Sequence, residues 1–82
     1  MAMEITLAQL RPGDGAKIAH LALEGNLRRR LQDIGLIAGT TVRCVGKSPG
    51  GDPMAYAVRG AVIALRQEDA ARIFVNREGA DG

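Results

Sequence analysis

The chain has 82 residues, 46% of them hydrophobic and 24% charged, which is typical of one small soluble domain and leaves no room for a second. Its formal net charge of +2 is far below the basic excess of a nucleic-acid-binding domain. A domain of this size has little buried volume to spare for a deep catalytic cleft, which argues against an enzyme.

Cysteine usage and hydropathy predict a cytoplasmic protein. Cys44 is the only cysteine, so an internal disulfide is excluded. The sequence has no run of 18 apolar residues, and residues 1–10 lack the basic start and apolar stretch of a signal peptide. We therefore expect no secretion and no direct membrane insertion.

Residues 6–21 predict a helical turn followed by a strand. Thr6 and Gln9 have the spacing of a capping box. The segment 11–14 has Pro second and Gly third, the pattern of a type II turn. We expect a strand over 16–21, bulged because its two strongest apolar residues are three positions apart.

The best helical signal lies at 27–34. Leu27, Leu31 and Ile34 recur at the spacing i, i+4 and i+7 and form the apolar stripe of an amphipathic helix. Gly35 follows this stripe and predicts the end of the helix, because glycine readily adopts the left-handed conformation that closes a Schellman motif.

The second half of the chain predicts strands separated by turns. A turn at 37–40 leads into a strand over 41–46. The prolines and glycines of 48–53 require a loop. Strands over 54–58 and 61–65 flank a two-residue turn, as in a β-hairpin.

The end of the chain predicts a short helix over 67–72, a strand over 73–75 and a flexible tail over 76–82. The fold class is therefore mainly β with short helices: a small, partly open barrel of about five strands with one amphipathic helix. Residues 1–75 form its single domain.

The sequence predicts no catalytic, metal or cofactor site. His20 is the only histidine, and neither Cys44 nor a carboxylate stands at ligand spacing from it. Cys44 lies among apolar strand residues with no base nearby. The glycine segments 13–15 and 50–52 lack the Lys-Ser/Thr of a P-loop and fit turns instead. We expect no nucleotide hydrolysis by this chain alone.

Arg28, Arg29 and Arg30 form the densest group of charges and are a candidate partner-binding surface. The alternative is a solvated helix face, because three consecutive residues spread around a helix. Tyr56 and Phe74 are the only aromatic residues, so stacking on nucleic-acid bases is disfavoured.

The predicted hairpin carries a second candidate surface. Ala55, Ala57 and Val62 face outward and bring no charge to a sheet face that is usually protected by Lys or Glu. Small residues could serve there merely as filler. The alternative is a packing surface for a second copy of the chain, giving a homo-oligomer, or for another protein.

The order of these motifs resembles the FeoA family, over about residues 7–75. The matching stretches are LRRRLQDIGLIAGT at 27–40, SPGGDPM at 48–54, and VRG with IALR within 58–66. The resemblance implies an SH3-like barrel and an accessory role in bacterial ferrous iron transport. It implies protein–protein interaction with the cytosolic GTP-binding part of the membrane transporter FeoB, and no catalytic residues.

The sequence departs from the family's usual pattern at several positions. Ala38 stands where the family usually has Pro, and Gly50 where it usually has Leu. Two alternative functions remain open. One is a free-standing regulatory domain like the SH3-like C-terminal part of iron-dependent repressors, and the other is a small RNA-binding barrel, which the shortage of aromatic residues disfavours.

Overall fold

The computed structural model describes residues 4–77, which form one antiparallel sheet and two helices. The elements are β1 (Glu4–Thr6), a 3-10 turn (Leu7–Gln9), β2 (Gly15–Leu21), α1 (Gly25–Asp33), β3 (Thr41–Lys47), β4 (Met54–Val58), β5 (Ala61–Leu65), α2 (Gln67–Ala70) and β6 (Ile73–Arg77). The strand order is β1-β6-β2-β3-β4-β5. The sheet is open, with β1 and β5 at its edges, and the predicted fold class is confirmed.

The sheet has six strands rather than about five, because residues 4–6 form a strand, β1, that was not predicted. This strand has three residues and pairs with β6, where Ile5 lies opposite Val75. The predicted flexible tail also began too early. Asn76 and Arg77 belong to β6 and pair with β2, so this boundary was wrong. Residues 78–82 lie outside the described residues.

Local sequence signals account for the turns and the bulge in β2. The Gln9 side chain accepts a hydrogen bond from the Thr6 N–H at 2.9 Å, as a capping box requires. Gly13 takes a φ of +98° at the third position of its turn. The β2–β6 register shifts between Ile18 and His20, which confirms the predicted bulge.

Helix α1 ends as its sequence predicts. The N–H of Leu36 donates to the Leu31 carbonyl at 2.9 Å, and the N–H of Gly35 donates to the Gln32 carbonyl at 3.0 Å. Gly35 has a φ of +107°, which completes a Schellman motif. The helix is thereby terminated directly before the turn that leads into β3.

The core is built from one face of the sheet together with the first turn and α1. Its largest fully buried side chain is Tyr56, whose hydroxyl donates to the Leu7 carbonyl at 3.0 Å. This bond joins β4 to the turn that follows β1. It satisfies the polar end of the only large aromatic side chain in the core.

Candidate partner-binding surfaces

The three consecutive arginines do not act as one patch. Arg28 and Arg29 line a shallow polar depression on the outer side of α1, beside Gln32. Arg30 lies on a different side, in a groove between α1 and β5. Since neighbouring helical residues are about 100° apart, the backbone geometry separates them.

The groove between α1 and β5 is mostly apolar and has a volume of about 280 Å³. Its apolar lining consists of Leu27, Leu31, Ile34, Ile63, Ala64 and Leu65. Arg30 is the one charged residue in this lining. The groove can therefore accept apolar side chains, with a cation at its edge to attract a carboxylate.

The apolar stripe of α1 explains how this groove forms. Leu31 is buried, whereas Leu27 is half-buried and Ile34 is 42% exposed. The helical spacing predicts that all three share one stripe, but it does not reveal that β5 leaves part of this stripe uncovered. Ile63 packs against the core while also lining the groove.

The outer face of the hairpin is apolar, as the sequence predicts. Ala57 lies opposite Val62, and Ala55 lies opposite Ala64, so these four side chains share one face. Val62 is 67% exposed, and Ala55 and Ala57 are half-buried.

Val45 extends this face and was missed as a member of it. It is 46% exposed and lies at a bulge, where the β3–β4 register shifts between Cys44 and Gly46. Gly46 is the residue that pairs with Ala55 on the hairpin face. The alternation of side chains along a strand is the signal that could have identified it, because Cys44 next to it is buried in the core.

His20 lies in a small cluster at the other end of the sheet. Its ring stacks on Phe74, with centroids 4.7 Å apart, and its Nδ1 lies 3.8 Å from Glu4 Oε2. Within residues 4–77, no three His, Cys, Asp or Glu side chains converge as metal ligands. Cys44 is buried with a free thiol.

Burial raises the pKa of Tyr56 to about 12, and the nearby Cys44 contributes to the rise. The Tyr56 hydroxyl is thus a structural hydrogen-bond donor within the core.

In the part of the chain that the structure covers, no helix has the length and apolarity to span a membrane.

The six-stranded open antiparallel sheet with its short helices is a small SH3-like fold. The family model for the FeoA domain matches residues 5–77. The chain therefore belongs to the FeoA family.

A curated relative connects this family with a transporter. The chain is 36% identical over 69 residues to the "Fe(2+) transport protein A/Fe(2+) transporter FeoB fusion protein" of Porphyromonas gingivalis. The match covers 84% of this chain and only 8% of that much longer protein.

Solved structures share both fold and sequence with the chain. The FeoA protein from Chlorobium tepidum superimposes with a TM-score of 0.89 at 32% identity, covering 95% of this chain and 74% of that one. FeoA from Stenotrophomonas maltophilia gives a TM-score of 0.76 at 35% identity, and the match covers 87% of this chain and 88% of that one. That structure is described as a procaryotic SH3 domain protein in complex with zinc.

A manganese-dependent transcriptional repressor shares the fold alone. Its TM-score is 0.80 at 19% identity, and the match covers 94% of this chain and 43% of the repressor. At this identity, the similarity does not carry a regulatory function to the chain.

Proposed function

We propose that this protein is an accessory component of bacterial ferrous iron transport that binds the cytosolic GTP-binding part of a FeoB transporter. The observation that carries this proposal is the fused relative, in which an Fe(2+) transport protein A is continuous with FeoB. Covalent linkage gives two binding modules a high effective concentration. A separate chain of the same family achieves the same association through its own surface.

The chemistry of the described residues favours binding over catalysis. The surfaces that stand out are an apolar groove, an apolar sheet face and a basic helix side. We infer that this chain contributes no catalytic group and works on the cytosolic side of the membrane. Arg28, Arg29 and Arg30 are proposed partner contacts, and so are Ala55, Ala57 and Val62.

Titration calorimetry tests this function directly. The chain is titrated into the isolated cytosolic GTP-binding domain of FeoB from the same organism, loaded with GDP or with a non-hydrolysable GTP analogue. We expect saturable binding in at least one nucleotide state. The SH3-like domain of the manganese-dependent repressor is the control, because it shares the fold but not the family, and it should not bind.

Two outcomes would contradict the proposed function. The first is an absence of binding in both nucleotide states and to full-length FeoB in lipid nanodiscs. The second is equal binding by the repressor domain, which would show that the fold alone is recognised.

A further inference from the structure

Strand β5 presents an unused edge to the groove. Among residues 4–77, it pairs with β4 on one side and has no strand on the other. Val58 and Ala61 flank the two-residue hairpin turn as a hydrogen-bonded pair, and such pairs alternate along an antiparallel ladder. The N–H and C=O groups of Val62 and Ala64 therefore point away from β4. Within residues 4–77, they make no other backbone hydrogen bond.

The position of Ala64 links this edge to the groove. Its side chain lies on the exposed outer face, yet the residue lines the groove between α1 and β5. Its backbone is therefore what borders the cavity. A polypeptide lying in the groove could pair with this edge and direct alternate side chains toward Leu31 and Ile34.

One arginine lines the groove, and two more lie at the ends of the elements that form it. Arg30 lines it, Arg66 directly follows the last residue of β5, and Arg59 packs against Gly35 at the end of α1. Among the described residues, none of these three guanidinium groups forms an ion pair. No acidic residue lines the groove. An occupant with carboxylates beside its apolar side chains would complement this arrangement.

We propose that the groove between α1 and β5 binds an extended acidic and apolar segment of a partner protein, which adds to the sheet as a strand next to β5. One apolar side chain enters between Ile34 and Ile63, and a carboxylate pairs with Arg30. The proposal rests on the proposed function and names the surface that performs it. The groove lacks the aromatic lining that proline-rich segments need, so strand addition is the matching mode of recognition.

A second copy of this chain complements the groove less well. The chain carries a net charge of +2, and the charged residue that lines the groove is Arg30. Like charges across an interface oppose association. An acidic segment of a different protein is therefore the occupant that the charges favour.

The test uses the cytosolic domain of FeoB as the probe and compares matched variants. Arg30→Glu reverses the charge in the groove, whereas Lys17→Glu makes the same change at an exposed position of β2, three strands away from β5. Ala64→Pro removes the outward N–H of β5 and spares the ladder to β4. We expect Arg30→Glu and Ala64→Pro to weaken binding about tenfold or more, and Lys17→Glu to change it much less.

Amide hydrogen exchange provides a second readout that does not depend on the variants. In the wild-type complex, the amides of Val62 and Ala64 should exchange more slowly than in the free chain. Melting curves of each variant establish that it is folded. If Ala64→Pro unfolds the chain, Arg30→Glu and the exchange data decide the matter.

The outcomes separate the groove from the proposed function. If Arg30→Glu does not affect binding and both β5 amides stay unprotected in the complex, binding in the groove is refuted while the proposed function stands. Equal weakening by Lys17→Glu and Arg30→Glu would also refute binding in the groove, since total charge would then explain the effect. If the wild-type chain does not bind the cytosolic domain of FeoB, both the proposed function and the proposed groove site are refuted. Protection at β5 that rises with the concentration of the chain alone would assign the edge to a second copy and refute the proposal.

Discussion

The side chain of Arg59, in the β4–β5 turn, packs across the backbone of Gly35, where α1 ends. A Cβ atom placed on Gly35 would overlap the Arg59 Cδ. Gly35 also has a φ of +107°, a conformation that L residues rarely adopt. The glycine therefore serves two purposes: it ends the helix, and it lets the hairpin turn approach α1 closely.

Gly35→Val should destabilise the protein by about 1–2 kcal/mol or more, because the left-handed conformation is strained and Arg59 must move. Gly39→Val is the matched control, since Gly39 has a φ of +89° with nothing within 4 Å of its Cβ position. Urea unfolding should show the larger loss at Gly35, and Arg59→Ala should restore part of it. Equal losses at both glycines would show that strain alone matters.

Tyr56 should make the protein sensitive to high pH. Its pKa is raised from 10.0 to about 12, so the folded state keeps a proton that the unfolded state releases first. The raised pKa contributes about 3 kcal/mol to the free energy of unfolding. This contribution is fully present below about pH 10 and is lost as the pH rises through 12. Unfolding measured from pH 9 to pH 12 checks it.

Tyr56→Phe is the control for that pH dependence. Without the hydroxyl, the Leu7 carbonyl loses its 3.0 Å hydrogen bond, so stability at neutral pH should fall by about 1 kcal/mol. The alkaline loss of stability should become smaller. An unchanged alkaline profile would assign that loss to another group.

Asp52 should stabilise α2 from a distance. Its Oδ1 accepts a hydrogen bond at 2.9 Å from the N–H of Gln67, the first residue of that helix. Asp52→Ala should cost about 1 kcal/mol in urea unfolding. Asp52→Asn keeps an acceptor and should cost less. Equal losses in both variants would show that the charge matters rather than the bond.

The outer face of the hairpin is proposed to mediate self-association at high concentration. Val62→Lys should abolish it, because an ammonium group would have to lose water in the contact. The fold should be retained, since Val62 is 67% exposed. Sedimentation checks this, with Ala71→Lys as a control that adds the same charge in the turn after α2. A monomeric wild type at every concentration would refute the self-association.

Local sequence determined the elements whose hydrogen bonds join nearby residues. The capping box at Thr6, the end of α1 at Gly35 and the hairpin turn at Arg59 and Gly60 are each encoded within a few positions. Both turn residues of the hairpin have positive φ, which only the structure could show for Arg59. The outward face of the hairpin was also predictable, because side chains alternate along a strand.

Tertiary structure alone decided the rest. The pairing of β1 with β6 joins residues at opposite ends of the sequence, and a three-residue strand carries too little pattern to reveal it. The groove beside β5, and the presence of Arg30 in its lining, depend on where α1 rests against the sheet edge. Periodicity identifies the apolar side of a helix, but the extent to which that side is covered is set by contacts between segments far apart in the chain.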